Sequence, residues 1–108
     1  MAKKRLNTRA KMQKSNQKAR RWLDDNDFVN TYFFPHMRFQ KGWRLEFQEF
    51  DGICIHRFRK PKVTLFQVKS NGKIPKKTLE LFRHISTLYN IRCIWINCIT
   101  RKGVEVYE

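Results

Sequence analysis

The run VTLFQVKSN, residues 63–71, has the Val, Leu and Phe content of a buried β-strand, yet Gln67 and Lys69 interrupt it. Side chains two apart in a strand share a face, so the amide and the ammonium point the same way. Asp51 heads an earlier apolar run, FDGICIHRF, sixteen residues before Gln67. Antiparallel strands joined by a tight turn bring the start of the first beside the end of the second, which places Asp51 near Gln67 and Lys69. A carboxylate, an amide oxygen and the Val68 backbone carbonyl are hard oxygen ligands of the kind Mg²⁺ prefers, with waters filling the shell. Lys69 would hold or help deprotonate a water activated there and offset charge on a phosphorane. These types and spacings suit phosphodiester hydrolysis, with Asp51, Gln67 and Lys69 as catalytic candidates and Asp51, Gln67 and Val68 as metal ligands. Glu46 and Glu49 lie just upstream; in an undistorted strand Glu49 shares the face of Asp51 and is the better additional ligand. The plainer reading of both acids is a solvent-facing ribbon.

The elements that must hold these residues follow from the apolar pattern. Residues 9–25 suit a helix, with Ala10, Met12, Ala19, Trp22 and Leu23 as apolar members and DDND as its end. FVNTYFF, residues 28–34, is β-branched and aromatic and stops at Pro35. WRLEFQEF alternates, whereas FDGICIHRF is apolar on both faces and belongs inside a sheet. RKPK, with Pro61, turns the chain into VTLFQVK as the antiparallel neighbour. SNGKIP is a loop with Pro75 suited to a helix's first turn, and residues 76–89 repeat apolar residues at helical spacing. IRCIWINCI is a doubly apolar strand and GVEVYE a short alternating one. The order αβββαββ suits a single α/β or α+β layer fold with mixed strands, and an α/β fold with a mixed central sheet flanked by helices is expected.

At 108 residues, 41% apolar and 14% aromatic, the chain suits one packed domain over residues 9–108 behind a basic arm at 1–8. A net charge of +15 calls for a polyanionic partner, nucleic acid before an acidic membrane surface. Nine Lys or Arg and no acid fall within residues 1–21, a charge pattern shared with targeting and nuclear-import segments. The candidate nucleic-acid contacts are Lys3, Lys4, Arg5, Arg9, Lys11, Lys14 and Lys18 there, and Arg38, Lys41, Trp43 and Lys73 beyond, Trp43 by stacking on a base. No apolar run spans a bilayer and no secretory signal opens the chain, so a cytoplasmic protein is expected. Cys54, Cys93 and Cys98 sit among Ile and Trp without ligand spacing, the pattern of buried thiols in a reducing compartment.

EFDGICIHRFRKPKVTLFQVKSN, with the basic helix before it and IPKKTLELFRHIS after it, resembles the PD-(D/E)XK nuclease superfamily. Within it the likeness is to archaeal-type Holliday junction resolvases and small viral or phage endonucleases, over roughly residues 10–100. The resemblance implies a restriction-endonuclease-like core, Mg²⁺- or Mn²⁺-dependent cleavage of DNA, possession of no small-molecule cofactor, and a homodimer acting on branched DNA in a prokaryotic cell or a virus's host. By the family pattern Asp51 is the first acid, Gln67 takes the (D/E) position and Lys69 is the motif lysine. Two positions depart from it. Gln67 replaces the second carboxylate, as in branches resembling the Mrr restriction enzymes, and KSNQKARRW offers no acid where resolvase-like relatives place a helix Glu.

Two other functions fit the same residues: a catalytically weak or inactive nucleic-acid-binding module on the nuclease fold, and a basic RNA-binding or ribosome-associated protein. Outside the motif, His56 and His84 read as surface or phosphate-facing groups, and His36 as a loop residue within reach of DNA. Ser70 reads as a cap or turn residue, and Trp22 and Trp95 as core.

Overall fold

A computed structural model of the chain describes residues 8–35 and 50–108. Within them run α1 (Thr8–Asp25), β1 (Phe28–Phe33), β2 (Gly52–His56), β3 (Val63–Ser70), α2 (Lys76–Tyr89), β4 (Arg92–Ile99) and β5 (Gly103–Tyr107). The strands form one sheet in the order β1-β2-β3-β4-β5. Every neighbouring pair is antiparallel except β3 and β4, which are parallel and joined through α2. Over the described residues the fold is therefore α/β with a five-stranded mixed sheet and two helices. The arm at 1–7 and the alternating segment 43–49 lie outside the described residues; Thr8, assigned to the arm from sequence, already opens α1.

Each helix covers one face. Ala19 and Leu23, one turn apart on α1, are fully buried against Phe28, Cys54, Phe66, Ile94, Ile96 and Cys98. Phe82 and Ile85 of α2 pack on the other face with Phe50, Leu65, Cys93 and Trp95. Residues 92–98 are buried without interruption, which is why IRCIWINCI carries no polar alternation. Burying a ring such as Phe66 or Phe82 is worth about 1.5–3 kcal/mol, and these two anchor opposite faces of the same sheet. Pro75 is the residue before α2 rather than within its first turn, with its carbonyl accepting from the Leu79 N–H at 3.1 Å. Asn90, at φ 55°, closes the helix in the left-handed conformation that asparagine tolerates.

The β2–β3 turn corrects the reading of His56. Its ring is buried, not surface or phosphate-facing, because the turn folds back over it. Nδ1 accepts from the backbone N–H of Phe58 (3.1 Å) and Arg59 (2.9 Å), and Phe28 meets the ring edge-on at 4.7 Å. The imidazole does the work of a turn cap. His84, by contrast, is exposed on α2 as expected.

All three thiols are free and buried. Burial raises Cys54 to about 12, with Arg92 pulling weakly the other way, and raises Cys93 to about 11, both from an ordinary 9.0. A raised folded-state pKa contributes stability that is complete below pH 9 and is lost as pH climbs toward the folded values. Each such thiol should lower stability by on the order of 1 kcal/mol per pH unit between pH 9 and 11. Urea unfolding at pH 8.5 and 10.5 should show a steeper loss for wild type than for Cys54→Ala; equal losses would contradict this assignment. Among the described residues no helix is long and apolar enough to cross a membrane.

Candidate metal and phosphate site

Strand alternation sets the orientation of β3. Phe66 and Val68 pack on the α1 side and Leu65 on the α2 side, so Gln67 and Lys69 belong to the α2 side. β3 lies between β2 and β4, which buries Gln67 to 6% exposure while Lys69, two residues nearer the strand end, is exposed.

Asp51 is locked to the backbone on both flanks of Gln67. Its N–H donates to the Phe66 carbonyl at 2.8 Å, and its Oδ2 accepts from the Val68 N–H at 2.6 Å. Gly52 also pairs with Phe66, so residues 51 and 52 together face one residue of β3, in the manner of a β-bulge. The bulge turns the carboxylate in toward β3, where it takes the place of a ladder partner. The Asp51 carbonyl accepts from Phe34 N–H at 2.8 Å, tying the same residue to the end of β1. A residue's N–H and C=O leave a strand on the same side, so the Val68 carbonyl faces the side Asp51 occupies.

Gln67 Oε1 is a buried acceptor with no hydrogen-bond partner among the described residues. Leaving such a group unsatisfied costs about 1–3 kcal/mol, and a cation or water is the usual remedy. In the parallel ladder Gln67 neighbours Trp95, whose indole Nε1–H is likewise buried without a partner. A buried acceptor and a buried donor thus stand on adjacent strands of one face. Sequence reading placed Trp95 in the core, correctly, but had no signal for this pairing, because a parallel register between distant strands leaves no local pattern.

The end of β3 is fixed by side chains. Asn97, in register with Lys69, accepts from Gly72 N–H at 3.0 Å through Oδ1. Asn71, at φ 52°, exchanges two hydrogen bonds with Thr100: Nδ2 to Oγ1 at 2.9 Å and Thr100 N–H to Oδ1 at 3.0 Å. Ser70 is neither cap nor turn; it is the last residue of β3, and its hydroxyl meets that of Ser15 on α1 at 2.5 Å. That contact sets the α1 lysines at this end of the sheet.

Asp51, Gln67 and Val68 are brought together, and Lys69 follows directly. Lys73 is exposed on the loop beyond, and Lys14 and Lys18 are exposed on α1, across the sheet but at the same end as Ser70. Arg9 and Lys11 fall in the first turns of α1. Their side chains, with Lys3, Lys4, Arg5, His36, Arg38, Lys41, Trp43, Glu46 and Glu49, lie outside the described residues. Trp22 is half-buried, tilted against Phe28 with ring centroids 5.9 Å apart. Among the described residues no group of three or more His, Cys, Asp or Glu could hold a metal ion; what they bring together here is the Asp51 carboxylate with amide and backbone oxygens.

Comparison of the chain with protein-family profiles, with curated proteins and with solved structures finds no match.

Proposed function

We propose that this protein is a divalent-metal-dependent endodeoxyribonuclease with a restriction-endonuclease-like core. The observation that carries the reading is Asp51 hydrogen-bonded across Gln67, whose buried Oε1 has no partner among the described residues, with Lys69 further along the strand. Asp51, Gln67 Oε1 and the Val68 carbonyl would hold Mg²⁺ or Mn²⁺, which when bound polarises a phosphate and lowers the pKa of a coordinated water. Lys69, exposed at the strand end, donates to the phosphate oxygens and offsets the charge that grows on them. The net charge of +15 supplies sequence-independent affinity for the backbone. So small a domain has little surface for reading bases, which favours recognition of DNA shape. A homodimer would cut opposing strands of a four-way junction.

The test is cleavage of a labelled four-way junction beside linear duplex, splayed and single-stranded DNA, in Mg²⁺, Mn²⁺ or EDTA. Paired symmetric nicks confined to the junction and lost in EDTA are expected; cutting that persists in EDTA would sink the reading. Gln67→Glu adds the charge a divalent site favours and should lower the half-saturating metal concentration about tenfold, equivalent to about 1.4 kcal/mol. An unchanged metal titration in a folded Gln67→Glu protein would remove Gln67 from the ligand set.

A second reading, a nucleic-acid-binding module without activity, draws on Gln67, an uncharged amide where the resembled pattern has a carboxylate. Tight junction binding without cutting in any metal would establish it.

A further inference from the structure

The turn between β2 and β3 lies at the far end of β2 from Asp51. It reads RFRKPK over residues 57–62, four cations and no acid around one phenylalanine. Phe58 is 71% exposed, and among the described residues no large apolar side chain is more so. A ring left in water contributes nothing to either apolar cluster of the fold. The Phe58 and Arg59 N–H groups both donate to the buried Nδ1 of His56, at 3.1 and 2.9 Å. The His56 N–H donates to the Lys62 carbonyl at 2.8 Å and closes the turn. Phe58 meets the His56 ring edge-on with centroids 6.4 Å apart, so its direction is set while most of its surface stays open.

Arg57, Arg59, Lys60 and Lys62 are all exposed around that ring. Asp27, which follows Asp24 and Asp25, is tied to the turn: its carbonyl accepts from the Arg57 N–H at 2.9 Å. Arg59, Lys60 and Lys62 continue from Arg57 toward β3, away from these acids. A fixed ring among cations matches DNA, whose bases offer flat faces with phosphates alongside. An acidic membrane surface answers the same charge, but one ring buries too little apolar area to hold it. Entering a continuous duplex costs base stacking, whereas a branch point already leaves base faces uncovered. We propose that the β2–β3 turn is a wedge for branched DNA: Phe58 stacks on a base at the branch, and the four cations hold the flanking phosphates. The wedge rests on the DNA-binding part of the function proposed above, not on cleavage. It lies about 17 Å from Asp51, roughly five residues of β2 at about 3.3 Å each.

The test is binding of the full chain, in EDTA, to a four-way junction and to linear duplex, each with 2-aminopurine at its centre. Wild type should prefer the junction and brighten its 2-aminopurine as the branch base leaves its neighbours for Phe58. Phe58→Ala should lose the brightening and cut the junction preference about tenfold, the loss of one stacked base, while Phe58→Tyr should keep both. The position is exposed, so Phe58→Ala should keep the wild-type urea midpoint. Arg59→Gln should weaken both DNAs alike and reduce the salt slope by about 1. An unchanged preference in Phe58→Ala, or no preference in wild type, overturns the proposal. So does Phe58-dependent binding to phosphatidylserine vesicles without any hold on DNA. The proposed cleavage does not run in EDTA, so the wedge and the cleavage site stand or fall separately.

Discussion

Replacing Lys69 with alanine is expected to lower the DNA cleavage rate about 10²–10³-fold, the loss that follows removal of one group stabilising transition-state charge. Lys69 is exposed at the end of β3, so the substitution should leave stability within about 0.5 kcal/mol of wild type. Binding should weaken only as far as one phosphate contact demands, with the salt slope reduced by about 1. Asp51→Asn should produce a similar loss for a different reason. An asparagine oxygen can still accept the Val68 N–H that Asp51 Oδ2 accepts at 2.6 Å, so the bulge survives while the charge is lost. Single-turnover cleavage with binding measured in parallel decides the matter. Either variant cutting at the wild-type rate would exclude its assigned role, and joint loss of binding and folding would show a structural one.

The second large effect is expected at Gly52, and it concerns stability. Gly52 sits between Phe33 of β1 and Phe66 of β3 in the ladder, beside Asp51. A Cβ there would run into the Phe66 ring and the Tyr32 backbone carbonyl. Neither can give way cheaply. Phe66 is fully buried and packed edge-on against Phe33 at 5.1 Å, and Tyr32 belongs to the paired strand itself. Gly52→Ala should therefore destabilise the fold by about 3 kcal/mol, the upper range for overpacking a well-filled core. Adding Phe66→Leu, which shortens the obstructing ring, should restore part of that loss. A urea midpoint for Gly52→Ala close to wild type would refute the close approach, and with it the bulge that aims Asp51.

Much of this architecture was legible because burial leaves periodic marks. α2 emerged with its observed bounds, Lys76–Tyr89, since its apolar residues recur at helical spacing and Pro75 and Asn90 punctuate its ends. The apolar residues on both faces of Arg92–Ile99 announced a strand covered on both sides, as α1 and α2 indeed cover it. Gln67 and Lys69 could be put on one face by counting alone. His56 was misread because a histidine beside Arg57 and Arg59 looks solvent-facing. Only the path of the turn supplies the two N–H groups that satisfy its Nδ1 inside the core.

By itself, the sequence determined the element order, the two apolar faces of the inner strands and the strongly basic surface, each written in composition and in spacing of 2 or 3.6 residues. The tertiary structure alone decided how Asp51 meets β3, which strand lies beside Gln67, and how α1 meets the end of β3 through Ser15 and Ser70. These depend on a bulge, on a parallel register reached through α2, and on α1 packing across the sheet. Each is a relation between residues far apart in the chain, and short-range periodicity carries no record of it.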